Sequence, residues 1–111
     1  MIPVYSPDLG GNERRYVADA VETSWISSLG PYIHRFEAAL GETIGVPHAI
    51  AVSNGTVALH LALHCVDVGP GDEVIVPTFT YIASVNAIKQ TGATPVLADV
   101  PPHDWLLDPK Q

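Results

Sequence analysis

Apolar positions along this 111-residue chain follow two different rhythms. In the first stretch they recur at helical spacing. Tyr16, Val17, Ala20, Val21 and Trp25 share one face of a helix that Asn12 can cap and that runs to about Trp25, while the opposite face is charged. Gly30-Pro31 opens a second helix with proline at the tolerated first-turn position, an apolar stripe of Ile33, Phe36, Ala39 and Leu40, and Gly45 at its end. From His48 onward short apolar runs alternate with longer ones. Ala49 to Val52 reads as a strand, Thr56 to Val66 as a helix, Glu73 to Val76 as a strand after the turn signal Gly69-Pro70-Gly71, Ala83 to Gln90 as a helix, and Pro95 to Val100 as a strand.

The order is two leading helices followed by β-α-β-α-β, which places the chain in the α/β class. Wholly apolar strands such as Val74-Ile75-Val76 predict burial on both faces, and strands joined through helices predict an open, mostly parallel sheet with right-handed crossovers. A helical segment over 1–46 and the start of an α/β domain over 47–111 are the expected divisions. Ligands on such sheets bind beyond the carboxyl ends of the strands, where both Ser53 to Thr56 and Pro77 to Tyr81 fall. Three parallel strands leave an apolar edge open, and Leu107-Asp108-Pro109 has the pattern of another helix start just before Lys110-Gln111. The expectation is a chain cut short, the amino-terminal part of a larger domain.

Composition narrows the function classes. Five Lys and Arg against twelve Asp and Glu give a formal charge of −7, which argues against nucleic acid, since phosphate neutralisation needs clustered positive charge. Arg14-Arg15 is the single adjacent basic pair and reads as a solvated helix face. No apolar window has the length that spans a bilayer, and Met1-Ile2-Pro3 lacks the order of a secretory signal, so no membrane association and a cytoplasmic location are expected. The single cysteine, Cys65, lies within an apolar helix pattern and is expected to be a small core residue rather than a nucleophile.

The turn Ser53-Asn54-Gly55-Thr56 between strand and helix patterns carries the most chemistry. Gly55 lets a backbone approach a ligand closely, and the free N–H groups of a helix's first turn present roughly +0.5 of an elementary charge. The Thr56 hydroxyl adds a donor. The same residues serve equally as a helix cap, with Ser53 or Asn54 satisfying the first turn. The turn is neither a Walker A loop nor a dinucleotide fingerprint, because no Gly-Lys-Ser/Thr is present and Gly69-Pro70-Gly71 precedes a strand rather than following one. In the second loop, Pro77-Thr78-Phe79-Thr80-Tyr81 sets aromatics at a strand's end, where one can lie against a flat ring or fill core. His60 and His64 stand four apart on one helix, but the intervening Leu61-Ala62-Leu63 has no glutamate, and polar contacts at a helix surface rather than a metal site are expected. Asp99, near the end of the last strand, reads either as a functional acid or as a loop brace, and Asp108 as a helix cap.

Four segments together, residues 53–63 (SNGTVALHLAL), 69–77 (GPGDEVIVP), 78–88 (TFTYIASVNAI) and 92–96 (GATPV), resemble the sugar aminotransferases of the DegT/DnrJ/EryC1/StrS family. Gly11 to Arg14 and Ser24 to Gly30 are similar in particular to its perosamine synthase branch. The resemblance implies the amino-terminal part of the large domain of a fold-type I pyridoxal-phosphate transferase. It also implies the amination of a nucleotide-linked 4-keto-6-deoxy sugar, with glutamate as donor, for O-antigen or other surface polysaccharide.

By that resemblance Asn54, Gly55 and Thr56 hold the phosphate of pyridoxal 5′-phosphate, Tyr81 stacks on its ring, and Trp25, Ser27 and Ser28 lie near the substrate. Family members use a lysine to attach the cofactor and an acid against its ring nitrogen. Here Lys89 and Lys110 stand in no matching motif, so no residue of this chain is assigned a catalytic role and the chain alone is expected to be inactive. Asp99-Val100 is followed by Pro101-Pro102-His103, where the family usually carries an acid. Full-length members form homodimers. A pyridoxal-phosphate sugar dehydratase shares these motifs, and a non-catalytic module for a phosphorylated ligand is the alternative from a different class.

Overall fold

A computed structural model of the chain describes residues 5–108, so Pro109 and Lys110 lie outside the described residues. These residues form two compact units that meet in sequence between Ala51 and Val52.

The first unit holds α1 (Glu13–Glu22) and α2 (Pro31–Ile44). Asn12 occupies the cap position of α1 but its side chain makes no capping bond. The helix ends three residues before Trp25, because the Thr23 hydroxyl donates to the Asp19 carbonyl at 2.6 Å and Ser24 turns left-handed at φ 60°. Helix α2 keeps its expected ends, with Pro31 in its first turn and Gly45 at φ 72° closing it. The two helices are joined by polar-aromatic contacts: Tyr32 donates to Asp19 Oδ2 at 2.8 Å, and the Tyr16 and Tyr32 rings lie 5.2 Å apart with Arg35 over both.

The second unit holds α3 (Gly55–Cys65), β1 (Glu73–Pro77), α4 (Ile82–Gln90) and β2 (Thr94–Ala98). Strands β1 and β2 pair in parallel with Glu73 opposite Thr94 and Pro77 opposite Ala98, and α4 is the crossover between them. Backbone bonds extend the ladder at both ends, Thr94 N–H to Asp72 O and Thr78 N–H to Ala98 O, each 2.9 Å. Val76, Ile88 and Ala93 form the buried centre, and Leu63, Val68, Val74 and Val85 pack around it. The α/β class expected from the sequence is therefore what the chain adopts.

Several local expectations change. Residues 49–52 make no strand; the Ala51 N–H, which a ladder would use, donates instead to Glu37 Oε1 at 2.9 Å. In β1 only alternate residues are covered, since Val76 is 3% exposed while Ile75 is 66% exposed, because the helices that pack on β1 among the described residues cover one face. Cys65, at the end of α3, is exposed rather than part of the core. Residues 105–108 form no helix, and the helix that Asp108 is expected to cap falls on residues outside the described ones. No helix among the described residues is long and apolar enough to cross a membrane.

The link from α4 into β2 depends on Gly92, which sits at φ 87° with Pro70 Cγ 2.9 Å from where a Cβ would stand. An alanine there combines left-handed strain with a clash against a ring fixed in its own turn. We expect Gly92→Ala to destabilise the second unit by about 1–3 kcal/mol. Gly69→Ala, whose methyl would meet only the Thr91 carbonyl at 3.8 Å, stays within roughly 0.5 kcal/mol. Urea denaturation of the two variants against the parent checks the contrast, and equal midpoints for all three would contradict it.

Candidate functional site

The first turn of α3 leaves two backbone donors unused. Asn54 is extended at φ −169°, ψ 171°; its Oδ1 accepts from Val57 N–H at 3.0 Å and its carbonyl accepts from Ala58 N–H at 3.1 Å. Asn54 is thus a true side-chain cap, and the cap consumes one donor of the turn. The Gly55 and Thr56 N–H groups have no partner among the described residues, and neither has the Thr56 hydroxyl. The first turn contains no acidic side chain to offset the positive end of the helix dipole. A Cβ on Gly55 would meet nothing within 4 Å, so the approach to these donors is open. The cap draws on Val57 N–H alone and leaves the Gly55 and Thr56 donors free, so the two readings of this turn do not compete for the same groups.

The second loop begins where the ladder ends. Thr78 closes the β1–β2 pairing, residues 78–80 bend, and Tyr81 caps α4 through its backbone, its carbonyl accepting from Ser84 N–H at 3.1 Å. The Thr80 and Ser84 hydroxyls are 3.1 Å apart and share a hydrogen bond. Tyr81 is 73% exposed. Asn54 to Thr56 and Tyr81 thus stand at the amino ends of α3 and α4, which pack on each other, and no hydrogen bond or ring contact joins the two groups among the described residues.

Two further pairings on this edge escape motif reading. Thr78 Oγ1 donates to Asp99 Oδ1 at 3.1 Å, which gives Asp99 the brace role, and the Phe79 ring lies 4.5 Å from that of Trp105. No short motif marks either pair, because each joins positions more than twenty residues apart.

Trp25, Ser27 and Ser28 belong to the first unit. All three are exposed, and Trp25 and Ser27 line a concavity of about 340 Å³ together with Tyr16, Gly30, Tyr32 and Ile33. Gly30 is buried because the turn folds closely on itself, its would-be Cβ lying 3.5 Å from Trp25 Cβ. The tyrosines at its wall differ in acidity: a hydrogen bond from Arg15 lowers Tyr16, whereas donation to Asp19 raises Tyr32. In the second unit His60 and His64 line a groove of about 450 Å³ with Val57, Leu61, Gln90 and Thr91. Among the described residues no three metal-ligating side chains cluster.

Comparison with known proteins gives a consistent result. The profile of the DegT/DnrJ/EryC1/StrS aminotransferase family matches residues 7–111. A GDP-perosamine synthase of Vibrio cholerae is 59% identical over 100 residues, 90% of this chain and 27% of that protein. Among solved structures, 3-amino-5-hydroxybenzoic acid synthase superposes with a TM-score of 0.81 at 40% identity, covering 99% of this chain and 29% of that one. The S. venezuelae DesV structure, in complex with a ketimine intermediate, superposes with a TM-score of 0.75 at 42% identity, covering 87% and 27%. The chain therefore spans under a third of the length of each of these relatives.

The geometry of the α3 turn separates the stabilising cap from the open approach at Gly55. Asn54→Ala removes the bond to Val57 N–H and is expected to cost about 1 kcal/mol of stability. Gly55→Ala places a better helix former in open space and is expected to be neutral or stabilising by up to about 1 kcal/mol. Thermal unfolding of both variants measures the difference, and destabilisation by Gly55→Ala would show that the glycine serves the backbone rather than the approach.

Proposed function

Because this chain belongs to the DegT/DnrJ/EryC1/StrS aminotransferase family, we propose that it supplies the phosphate cradle and the ring-facing aromatic of a pyridoxal-phosphate-dependent sugar aminotransferase. The observation that carries this reading is the pair of unpartnered N–H groups at Gly55 and Thr56, left free by the Asn54 cap. They donate to a phosphate, the Thr56 hydroxyl adds a third bond, and the uncompensated dipole of α3 favours the dianion. Tyr81 offers its exposed ring as the surface on which the cofactor ring lies. When bound, pyridoxal phosphate supplies the electron sink that makes exchange of an amino group feasible.

The substrate in this reading is a nucleotide-linked 4-keto-6-deoxy sugar of the perosamine type, with glutamate as amino donor. The identity to a GDP-perosamine synthase supports that choice of sugar. Trp25 and Ser27, in their largely apolar concavity, and the neighbouring Ser28 are the substrate-side contacts in this reading. A homodimeric, cytoplasmic enzyme making surface polysaccharide precursors completes the reading for the whole protein.

Lys89, in the last turn of α4, matches no cofactor-attaching motif, so the residues present bind and orient but do not shuttle the proton. The 111-residue chain incubated with pyridoxal phosphate, glutamate and a nucleotide 4-keto-6-deoxyhexose is expected to yield no amino sugar by mass spectrometry. Turnover would overturn that division of labour. Pyridoxamine phosphate is expected to raise the thermal transition of the chain, and inorganic phosphate to compete with it. A rise with nucleotide sugar alone would favour the phospholigand module instead.

A further inference from the structure

Tyr81 has no hydrogen bond or ring contact of its own through its side chain among the described residues, so the backbone on either side sets where it stands. The carboxyl-terminal side is fixed by the first turn of α4, where Tyr81 O accepts from Ser84 N–H and the Thr80 and Ser84 hydroxyls pair. The amino-terminal side is fixed from the neighbouring strand. Asp99 Oδ1 accepts from its own neighbour Val100 N–H at 3.0 Å and from Thr78 Oγ1 at 3.1 Å, so the carboxylate is oriented by one bond and spans to the loop with the other. Beyond it the chain doubles back: Trp105 N–H donates to the Pro101 carbonyl at 3.1 Å, Trp105 adopts φ 64°, and its ring packs on Phe79. A bulky side chain in the left-handed region is held there only when its surroundings impose it.

We infer that Asp99 and Trp105 are positioning residues for Tyr81, forming a clasp from the far strand that fixes loop 78–81. The role rests on the reading of Tyr81 as the cofactor's ring partner. Asp99 and Thr78 are exposed, and a hydrogen bond between exposed groups adds little to global stability, so the clasp orders the loop without building the core.

Hydrogen exchange of the chain, read for the Thr78 and Ser84 amides, whose hydrogen bonds to Ala98 O and Tyr81 O bound the loop, against β1 amides 74–76, tests the clasp directly. Asp99→Ala, Thr78→Val and Trp105→Leu are each expected to speed loop exchange roughly fivefold or more while β1 protection is unchanged, in line with the loss of one anchoring contact. Asp99→Asn keeps an Oδ1 acceptor and is expected to restore the slow rate. Unchanged loop exchange in Asp99→Ala, or loss of β1 protection in both Asp99→Ala and Thr78→Val, overturns the clasp.

Binding of pyridoxamine 5′-phosphate, which has no aldehyde to react with Lys89, supplies the second readout. This achiral probe acquires circular dichroism only when its ring is held in one orientation. The parent and Asp99→Asn are expected to induce the signal, and Asp99→Ala to lose it while inorganic phosphate still competes with the same midpoint. A parent that binds the probe without induced dichroism overturns the ring-partner reading of Tyr81. A parent signal that Asp99→Ala leaves intact overturns the positioning role alone.

Discussion

Parallel pairing of β1 with β2 is the constraint on which the second unit depends. Parallel neighbours cannot be joined by a tight turn, so the chain must leave the carboxyl end of β1, cross as α4 and return to the amino end of β2. The crossover brings Ile88 onto Val76 and Ala93, which makes the buried centre and sets the register together. It also forces every departing loop to one edge. Thr78 and Asp99 are then next to each other because the strands that end at Pro77 and Ala98 end side by side. The loops that carry chemistry are consequences of this pairing.

The proposed phosphate site must act through local fields, since the chain's formal charge of −7 repels an anion at long range. The α3 turn supplies such a field in a form that composition does not register. Its donors are backbone groups, its dipole belongs to the helix as a whole, and the absence of an acid in the first turn leaves that dipole uncompensated. Asn54 performs both tasks of the turn. By taking Val57 N–H it starts the helix, and by taking no other it leaves the Gly55 and Thr56 groups for a ligand.

Much of this was legible in the sequence because it is local. The ends of α2 follow from Gly30-Pro31 and Gly45, and α3, β1, α4 and β2 fall within one residue of the pattern of apolar positions, except for the far end of β2, which stops two residues short. What the sequence misled on depends on partners that periodicity does not name. Ala49 to Val52 has a strand's composition, yet Glu37 takes the Ala51 N–H and no strand pairs there. Val74-Ile75-Val76 is apolar throughout, yet only alternate residues are covered. Ser24 and Thr23 end α1 early through conformation and a side-chain bond, neither of which has an apolar signature. At the site the same distinction holds: the α3 turn is a contiguous motif and was visible, whereas Thr78 with Asp99 and Phe79 with Trp105 are joined only by the fold.

The two halves of the site consequently respond differently to change. A cradle made of N–H groups tolerates most side-chain substitutions, because what binds is the start of a helix whose existence depends on the burial of α3 and α4 against each other. The aromatic loop has no such redundancy. The contacts that reach it are single ones between residues just past β1 and residues past β2, each exposed and each contributing little to the fold. In the proposed reading, holding the anion and orienting the ring are therefore separable, the first written into the backbone at the start of α3 and the second into a few side chains around the loop after β1. On that reading, a chain that lost the second would still hold a phosphate but would leave the ring without a fixed direction.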